Sequence, residues 1–292
     1  MKLFAFGLGY SALHFIDRFG ASFEAISGTV RTAEKAAELA SDQITPLLFS
    51  PEKEDPAILD ALGTADAIIV SIPPGVSTDP VLSRFGRKIA GIDRPQTIIY
   101  LSTVGVYGDR QGQWVDESRP AVPTSDRART RIQAEKSWAA LGKSRNKNVH
   151  ILRLAGIYGP GRNVLVNLRA GTARRIIKPD QVFNRIHVDD IASAIAGALA
   201  HEGRNEVWNV TDDEPTPPQD VVLYAAQLLG MTPPPEVPIE EALDLSPMTR
   251  SFYAENKRAS NLKLKQELRM ELAYPTYREG LTALWESGEG RL

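Results

Sequence analysis

Short apolar runs alternate with longer amphipathic stretches along the first 210 residues of the chain. The short runs have the length and the β-branched or aromatic content of buried strands. They lie at residues 2–6, 23–30, 46–49, 67–72, 97–101, 149–154 and 206–210. The amphipathic stretches predict helices at residues 11–19, 32–40, 124–141 and 191–200. This order predicts an α/β fold, with a doubly wound, mostly parallel sheet that helices cover on both faces.

The composition and the hydrophobic pattern of the chain change after residue 210. Prolines cluster at residues 215–218 and 233–238, and the remainder has a helical pattern. We therefore expect a main domain of residues 1–160, to which residues 181–211 return, and which the glycine motif described below assigns to dinucleotide binding. A smaller, mainly helical substrate-binding domain would hold residues 161–180 and 212–292.

Composition narrows the classes of function. The chain has 292 residues, 42% of them hydrophobic and 24% charged, which is typical of a globular protein. A net charge of −2 gives no field that would favour nucleic acid or an anionic membrane. The absence of cysteine excludes disulfides and thiolate chemistry and fits the cytoplasm. We expect a cytoplasmic monomer or homodimer without a bound metal.

A glycine motif follows the first predicted strand and opens the first predicted helix. It reads Gly7-Leu8-Gly9-Tyr10-Ser11-Ala12, a GxGxx(G/A) pattern. In this context the first glycine permits a tight turn and the second lets a pyrophosphate approach the backbone. Small Ala12 allows close packing of helix on strand, and the helix N-terminus stabilises phosphate charge. The motif predicts a Rossmann dinucleotide site, although a tight turn without a ligand would show the same residues.

The end of the second strand bears on the choice of cofactor. An NAD site usually has an acidic residue there, about 20 residues past the glycines, to hold the ribose 2′-hydroxyl. This chain has Arg31 instead, and a guanidinium suits the 2′-phosphate of NADP. We therefore expect NADP, with NAD as the alternative, unless Arg31 is only a solvated strand end. Ser71, in the strand predicted at residues 67–72, is also assigned to cofactor binding.

Several later segments resemble extended short-chain dehydrogenases/reductases, and the tail resembles an atypical, epimerase/dehydratase-like branch. The segments are LSTVGVYG (101–108), LRLAGIYGP (152–160), RIHVDDIA (185–192), EVWNVTDDEP (206–215), NKR (256–258) and YPTYREG (274–280). The resemblance implies a Rossmann fold and an NAD(P)-dependent oxidoreductase or sugar epimerase/dehydratase. The chain departs from the GxxGxxG of extended members, because Phe6 stands at the first glycine.

The resemblance also implies a Tyr-x-x-x-Lys pair on a helix, with a Ser or Thr that holds the substrate oxygen. Alignment of the segment at residues 123–131 puts Arg127 at the tyrosine and Arg131 at the lysine. Arg131 can still bind ribose hydroxyls, whereas Arg127 stays protonated and cannot act as a general acid or base near pH 7. Thr103 matches the Ser/Thr position. Tyr107 lies just past a strand, as Tyr158 does, and could replace the missing tyrosine or be structural.

Positive charge dominates the stretch from Arg162 to Arg185, which holds six basic residues and one acid. Because this region faces substrate in the extended relatives, Arg127, Arg162 and Arg185 are assigned to an anionic or sugar-nucleotide-like substrate. A solvated helix face is the alternative. Thr103, Tyr107 and Arg131 form the predicted catalytic set. Two functions remain open: an NADP-linked oxidoreductase or epimerase/dehydratase-like enzyme with altered catalytic residues, and an NAD(P)-binding sensor or regulator without turnover.

Overall fold

The computed structural model describes residues 1–50, 53–76, 78–143, 146–243 and 245–290. Seven parallel strands form the central sheet in the order β11-β7-β5-β4-β1-β2-β3. They are β1 Lys2–Phe6, β2 Ala25–Val30, β3 Ile44–Leu48, β4 Ala67–Val70, β5 Gln96–Thr103, β7 Lys147–Leu154 and β11 Val207–Val210. The strand order reverses between β1 and β4, and ligands bind at such a switch point in open α/β sheets.

Short strands form three further parallel pairs outside the central sheet. They are β6 Trp114–Val115 with β13 Arg258–Ala259, β8 Gly156–Tyr158 with β10 Arg185–His187, and β9 Arg175–Ile177 with β12 Glu236–Pro238. Each pair joins segments that are distant in sequence. The pairing of β6 with β13 brings the C-terminal part of the chain back to the loop that follows β5.

Helices cover both faces of the sheet. They are α1 Tyr10–Phe19, α2 Ala33–Leu39, α3 Ala57–Thr64, α4 Pro80–Gly91, α5 Asp126–Gly142, α6 Val164–Arg169, α7 Val188–Ala200, α8 Pro218–Leu228, α9 Pro247–Tyr253, α10 Leu262–Leu268 and α11 Tyr277–Glu286. None of the helices in the described ranges is long and apolar enough to cross a bilayer.

Three apolar clusters hold these layers together. On one face of the sheet, Phe15 of α1 and Ile191 of α7 pack with the strands. On the other face, Phe85 of α4 and Trp138 of α5 pack against Tyr100 of β5. A third cluster joins α6, α8 and α11. Burial of these side chains supplies the main driving force for folding.

The predicted fold class is confirmed, and every predicted strand of the sheet is present with its ends shifted by a few residues. The four predicted helices correspond to α1, α2, α5 and α7. Helices α3 and α4 were not predicted. After residue 210 the described chain forms the four helices α8 to α11 and the short strands β12 and β13. Its division into cofactor and substrate domains stays a prediction.

Candidate functional site

The turn between β1 and α1 has a shape that requires glycine at position 7. Gly7 has φ +90°, and a Cβ there would lie 2.8 Å from Ser71 Oγ. Its N–H donates to Thr29 Oγ1 at 2.8 Å, and Ser71 Oγ donates to the Gly7 carbonyl at 2.6 Å. The side chains of Thr29 and Ser71 therefore fix the turn from both neighbouring strands. Ser71, predicted to bind cofactor, holds the turn in shape.

The N-terminus of α1 is open. Gly9 is the N-cap residue, and within the described ranges no side chain caps the helix. A Cβ at Gly9 would meet nothing within 4 Å, so a ligand can approach the backbone closely. Uncapped amide N–H groups and the helix dipole form a ready site for phosphate. Ser11 and Ala12 are buried, and Ala12 has no exposed surface.

Tyr10 links the glycine motif to the turn after β8. Its hydroxyl donates to the Pro160 carbonyl at 3.0 Å, and the Arg162 guanidinium lies 5.6 Å from the ring centroid. Burial raises the pKa of Tyr10 to about 12, so the hydroxyl stays protonated. Arg162, predicted to bind substrate, therefore lies beside the cofactor motif, where its charge would face a pyrophosphate.

Arg31 directly follows β2 and is exposed. Its side chain makes no hydrogen bond or ion pair with any residue that the structure describes. The neighbouring Thr32 instead caps α2 by accepting from the Lys35 N–H at 3.3 Å. In a Rossmann site the adenosine ribose reaches the end of the second strand, which is the position of Arg31 here. The position therefore fits a 2′-phosphate.

The two arginines of α5 differ in environment. Arg127 is exposed, and in the described parts of the chain its side chain has no hydrogen-bond partner. Arg131 is half-buried, and its Nη1 donates to the Leu101 carbonyl at 3.0 Å and to the Tyr100 hydroxyl at 3.3 Å. Arg131 thus lies against Leu101 near the end of β5, and Leu101 precedes Thr103 by two residues. Thr103 Oγ1 accepts from the Gly105 N–H at 3.1 Å and is half-buried.

Tyr107 lies in the core instead of facing a ligand. It has no exposed surface, and its hydroxyl donates to Asn209 Oδ1 at 2.8 Å and accepts from Arg153 Nη1 at 2.9 Å. Burial raises the pKa of Tyr107. A hydroxyl that is paired on both sides and shielded from solvent cannot exchange a proton with a substrate. This geometry favours the structural role of Tyr107, so we leave it out of the proposed site, and its catalytic role stays a prediction.

Comparison with known proteins identifies the family. A model of the NAD dependent epimerase/dehydratase family matches residues 87–211. Protein YeeZ of Escherichia coli K12 is 30% identical over 245 residues, which cover 80% of this chain and 85% of YeeZ. The chain belongs to the NAD dependent epimerase/dehydratase family. A functionally unknown conserved protein from Silicibacter pomeroyi is 43% identical over 99% of both chains, with a TM-score of 0.87.

More distant structures share the fold. Human epimerase family protein SDR39U1, solved with NADPH, is 14% identical over 98% of this chain and 99% of its own, with a TM-score of 0.74. UDP-glucuronic acid 4-epimerase of Bacillus cereus, solved with UDP-glucuronic acid and NAD, is 17% identical over 98% of both chains, with a TM-score of 0.76. Proteins of this fold have thus been solved with either nicotinamide cofactor.

In this epimerase/dehydratase family member, Arg185 is held by the backbone. Its Nη1 donates to the carbonyls of Phe183 at 3.0 Å and Thr216 at 3.1 Å. Burial lowers the pKa of Arg185 and raises the pKa of nearby Asp212 well above its usual range. Tyr158 is also buried, with its hydroxyl 3.5 Å from the Thr276 carbonyl. Arg185 binds the backbone of the Phe183–Thr216 bridge, and its predicted contact with substrate stays a prediction.

A second group of residues at the end of β5 was missed in the sequence. Lys257 Nζ donates to the Gly108 carbonyl at 2.9 Å and to Glu255 Oε2 at 2.6 Å. Thr124 Oγ1 donates to Glu255 as well. The C-terminal segment therefore anchors both ends of the loop between β5 and α5. The sequence showed residues 256–258 only as part of a family tail, since 149 residues separate Lys257 from Gly108.

Proposed function

We propose that this protein binds NADP(H) and acts as an oxidoreductase on a small, anionic substrate. The observation that carries the proposal is the open N-terminus of α1 above Gly9, with Arg31 at the end of the next strand, where no described residue pairs with it. The first feature suits a pyrophosphate and the second suits a 2′-phosphate. Membership of the NAD dependent epimerase/dehydratase family supports dinucleotide binding.

Different residues would bind different parts of the cofactor and the substrate. The α1 amides and Arg162 hold the pyrophosphate, and Arg31 holds the 2′-phosphate. Arg131, anchored on the Leu101 carbonyl, has further N–H groups for the nicotinamide ribose. Thr103 accepts from a backbone N–H and keeps its own O–H to donate to a substrate oxygen. When bound, the nicotinamide cofactor supplies or receives the hydride.

Proton transfer sets this chain apart from relatives with a Tyr-x-x-x-Lys pair. Arg127 stands at the tyrosine position, and a guanidinium stays protonated at neutral pH. The chain therefore suits reactions in which water or the substrate handles the proton while the protein positions the hydride. The exposed charge of Arg127 at this position favours an anionic substrate, since a carboxylate or phosphate would pair with it.

Cofactor titration tests this proposal. Isothermal calorimetry should give tighter binding of NADP than of NAD to the native protein. Arg31→Ala should weaken NADP binding by about 1.5–3 kcal/mol, the scale of a hydrogen bond to a charged group, and leave NAD binding nearly unchanged. Arg87→Ala, at an exposed arginine on α4, is the matched control and should change neither affinity. Equal affinities for both cofactors would remove the case for NADP.

The burial of Tyr107 and the presence of Arg127 also favour a second candidate, an NADP(H)-binding regulator without turnover. The two candidates differ in the fate of bound NADPH. An enzyme should oxidise NADPH, seen as loss of absorbance at the nicotinamide band, with at least one anionic aldehyde, ketone or quinone in a panel. A regulator should bind NADPH and leave it reduced with every member of the panel.

A further inference from the structure

A cavity of about 560 Å³ lies beside α5, apart from the proposed cofactor site. Helix residues Arg129, Ile132, Gln133 and Lys136 line it. At 100° per residue these positions lie on the opposite side of α5 from the face that carries Arg131. The other wall is the segment from Glu117 to Pro123. A ligand in this cavity would therefore not occupy the position that the glycine motif provides.

The lining of the cavity is strongly basic. Four cationic side chains line it, against one carboxyl group. Arg129 is paired with Asp126 at 2.8 Å, whereas Arg119 and Lys136 form no side-chain hydrogen bond or ion pair with any described residue. The carboxyl group is Glu117, whose pKa is raised, mainly by burial. Asp126 and Glu135 balance Arg129 and Arg153, so the positive charge that remains comes from Arg119, which also interacts with Asp116, and from Lys136.

The fourth cation, Arg153, lies at the floor of the cavity, where other side chains hold it in place. It is 7% exposed, and it donates through Nε and Nη2 to Glu135 and through Nη1 to Tyr107. These bonds use three of its five N–H groups, so two remain for a ligand. Because Glu135 already fixes the guanidinium plane, Arg153 would meet a ligand without losing side-chain freedom.

We propose that this cavity binds a small multivalent oxyanion, through a phosphate or a pair of carboxylates. Arg153 supplies a rigid fork at the floor, which matches the geometry of a phosphate or carboxylate oxygen pair. Arg119 and Lys136 supply mobile charges at the rim, from the two walls of the cavity. The site is separate from the proposed cofactor site and does not depend on the proposed function.

Titration with inorganic phosphate and with malonate tests the proposal and separates its two sources of oxyanion. The titrations use the full chain with saturating NADP and constant ionic strength, followed by calorimetry. The double variant Arg119→Ala with Lys136→Ala should bind the preferred anion about tenfold more weakly or worse, because two charged contacts are lost. Glu117→Gln should tighten binding, since it removes the opposing carboxyl but keeps an oxygen for the Asn209 N–H.

Two controls locate the binding. Arg31→Ala alters the proposed cofactor site, and Arg87→Ala removes a charge on α4, so neither should change anion affinity. Loss of binding in the double variant alone supports the cavity, whether phosphate or malonate is the tighter ligand. The proposal is overturned if the double variant binds both anions as the native chain does, or if neither anion binds the native chain.

Discussion

At the scale of single residues, Gly9 offers the sharpest test of the cofactor site. Its φ of −101° is open to any residue, and a Cβ there would meet no atom within 4 Å. Gly9→Val should therefore fold normally while its branched side chain fills the space intended for the pyrophosphate. We expect NADP binding to be lost and the thermal unfolding transition to stay cooperative.

Gly63 provides the matched control for this change. A Cβ at Gly63 also meets nothing within 4 Å, but the residue lies in α3, away from the glycine motif. Gly63→Val should bind NADP with native affinity. Normal cofactor binding by a folded Gly9→Val protein would show that the glycine motif is only a turn.

The two arginines of α5 allow a second residue-scale prediction. Arg131 is anchored on the Leu101 carbonyl and the Tyr100 hydroxyl, next to the expected nicotinamide ribose. Arg131→Ala should weaken NADP binding, and Arg127→Ala should leave it almost unchanged because Arg127 is exposed and lies one turn away. Calorimetric titration of the two variants side by side gives the answer. The reverse result would mean that the alignment of α5 with the Tyr-x-x-x-Lys helix is wrong.

Residues whose position depends on local chain geometry could be placed from the sequence, while their role in cofactor binding stays a prediction. Gly7 and Gly9 lie in one turn, and the strand that ends before Arg31 was visible as an apolar run. Tyr107 could not be placed in this way. Its hydroxyl partners, Asn209 and Arg153, are 102 and 46 residues away, and no periodicity carries that information.

At the scale of elements, the strands of the sheet were predictable because each is a compact apolar run, as in the fully buried β4. Helix α4 was missed because it starts with Pro80, shortly after two further prolines, although Asp79 is a residue typical of a helix N-cap. The short pair of β6 and β13 was missed for another reason. Two-residue strands have no pattern of their own and exist only through their pairing across the molecule.

The junction of α5 with β5 and β7 supports a third prediction. Glu135 is 3% exposed, accepts three hydrogen bonds from Arg153 and one from Ser102 Oγ at 2.5 Å. Glu135→Ala would leave the buried Arg153 without its counter-charge, which costs about 3–5 kcal/mol of unfolding free energy. Urea denaturation measures this loss.

Ser102→Ala is the control for the same junction. It removes one hydrogen bond and keeps the ion pair, so the expected loss is about 1–3 kcal/mol. Glu135→Ala should therefore lose more unfolding free energy than Ser102→Ala. Equal losses would show that the Glu135–Arg153 pair does not hold α5 on the sheet.

At the scale of the whole molecule, the unfolding free energy should depend on pH through buried histidines and buried carboxyl groups. Burial lowers the pKa of His150 and of His187 from 6.5 to about 4. Burial also raises the pKa of Asp190 and of Asp212. The histidines destabilise the fold in acid, whereas these carboxyls act in the opposite direction, because their folded forms hold a proton that the unfolded chain releases. The pH dependence of the native protein's unfolding free energy alone therefore cannot separate the effect of the histidines from that of the carboxyls.

A comparison with His150→Gln isolates one histidine. His150 has no exposed surface, packs on Trp208 with ring centroids 5.0 Å apart, and accepts from the Glu206 N–H through Nδ1. Between pH 6.5 and 4 the unfolded chain binds a proton at this residue and the folded chain does not, so stability falls as the pH falls through that window. The loss that His150 adds is up to about 3 kcal/mol, from 1.36 kcal/mol per pKa unit.

Urea unfolding at pH 7.5 and pH 4.5 measures this difference. His150→Gln should be less stable than the native protein at pH 7.5, because it loses packing and the hydrogen bond from Glu206. It should also lose less stability on going to pH 4.5, since glutamine takes up no proton. The stability difference between the two proteins should thus shrink in acid. A difference that stays constant from pH 7.5 to pH 4.5 would show that His150 takes up its proton without unfolding, and that the core beneath β7 and β11 admits the charge.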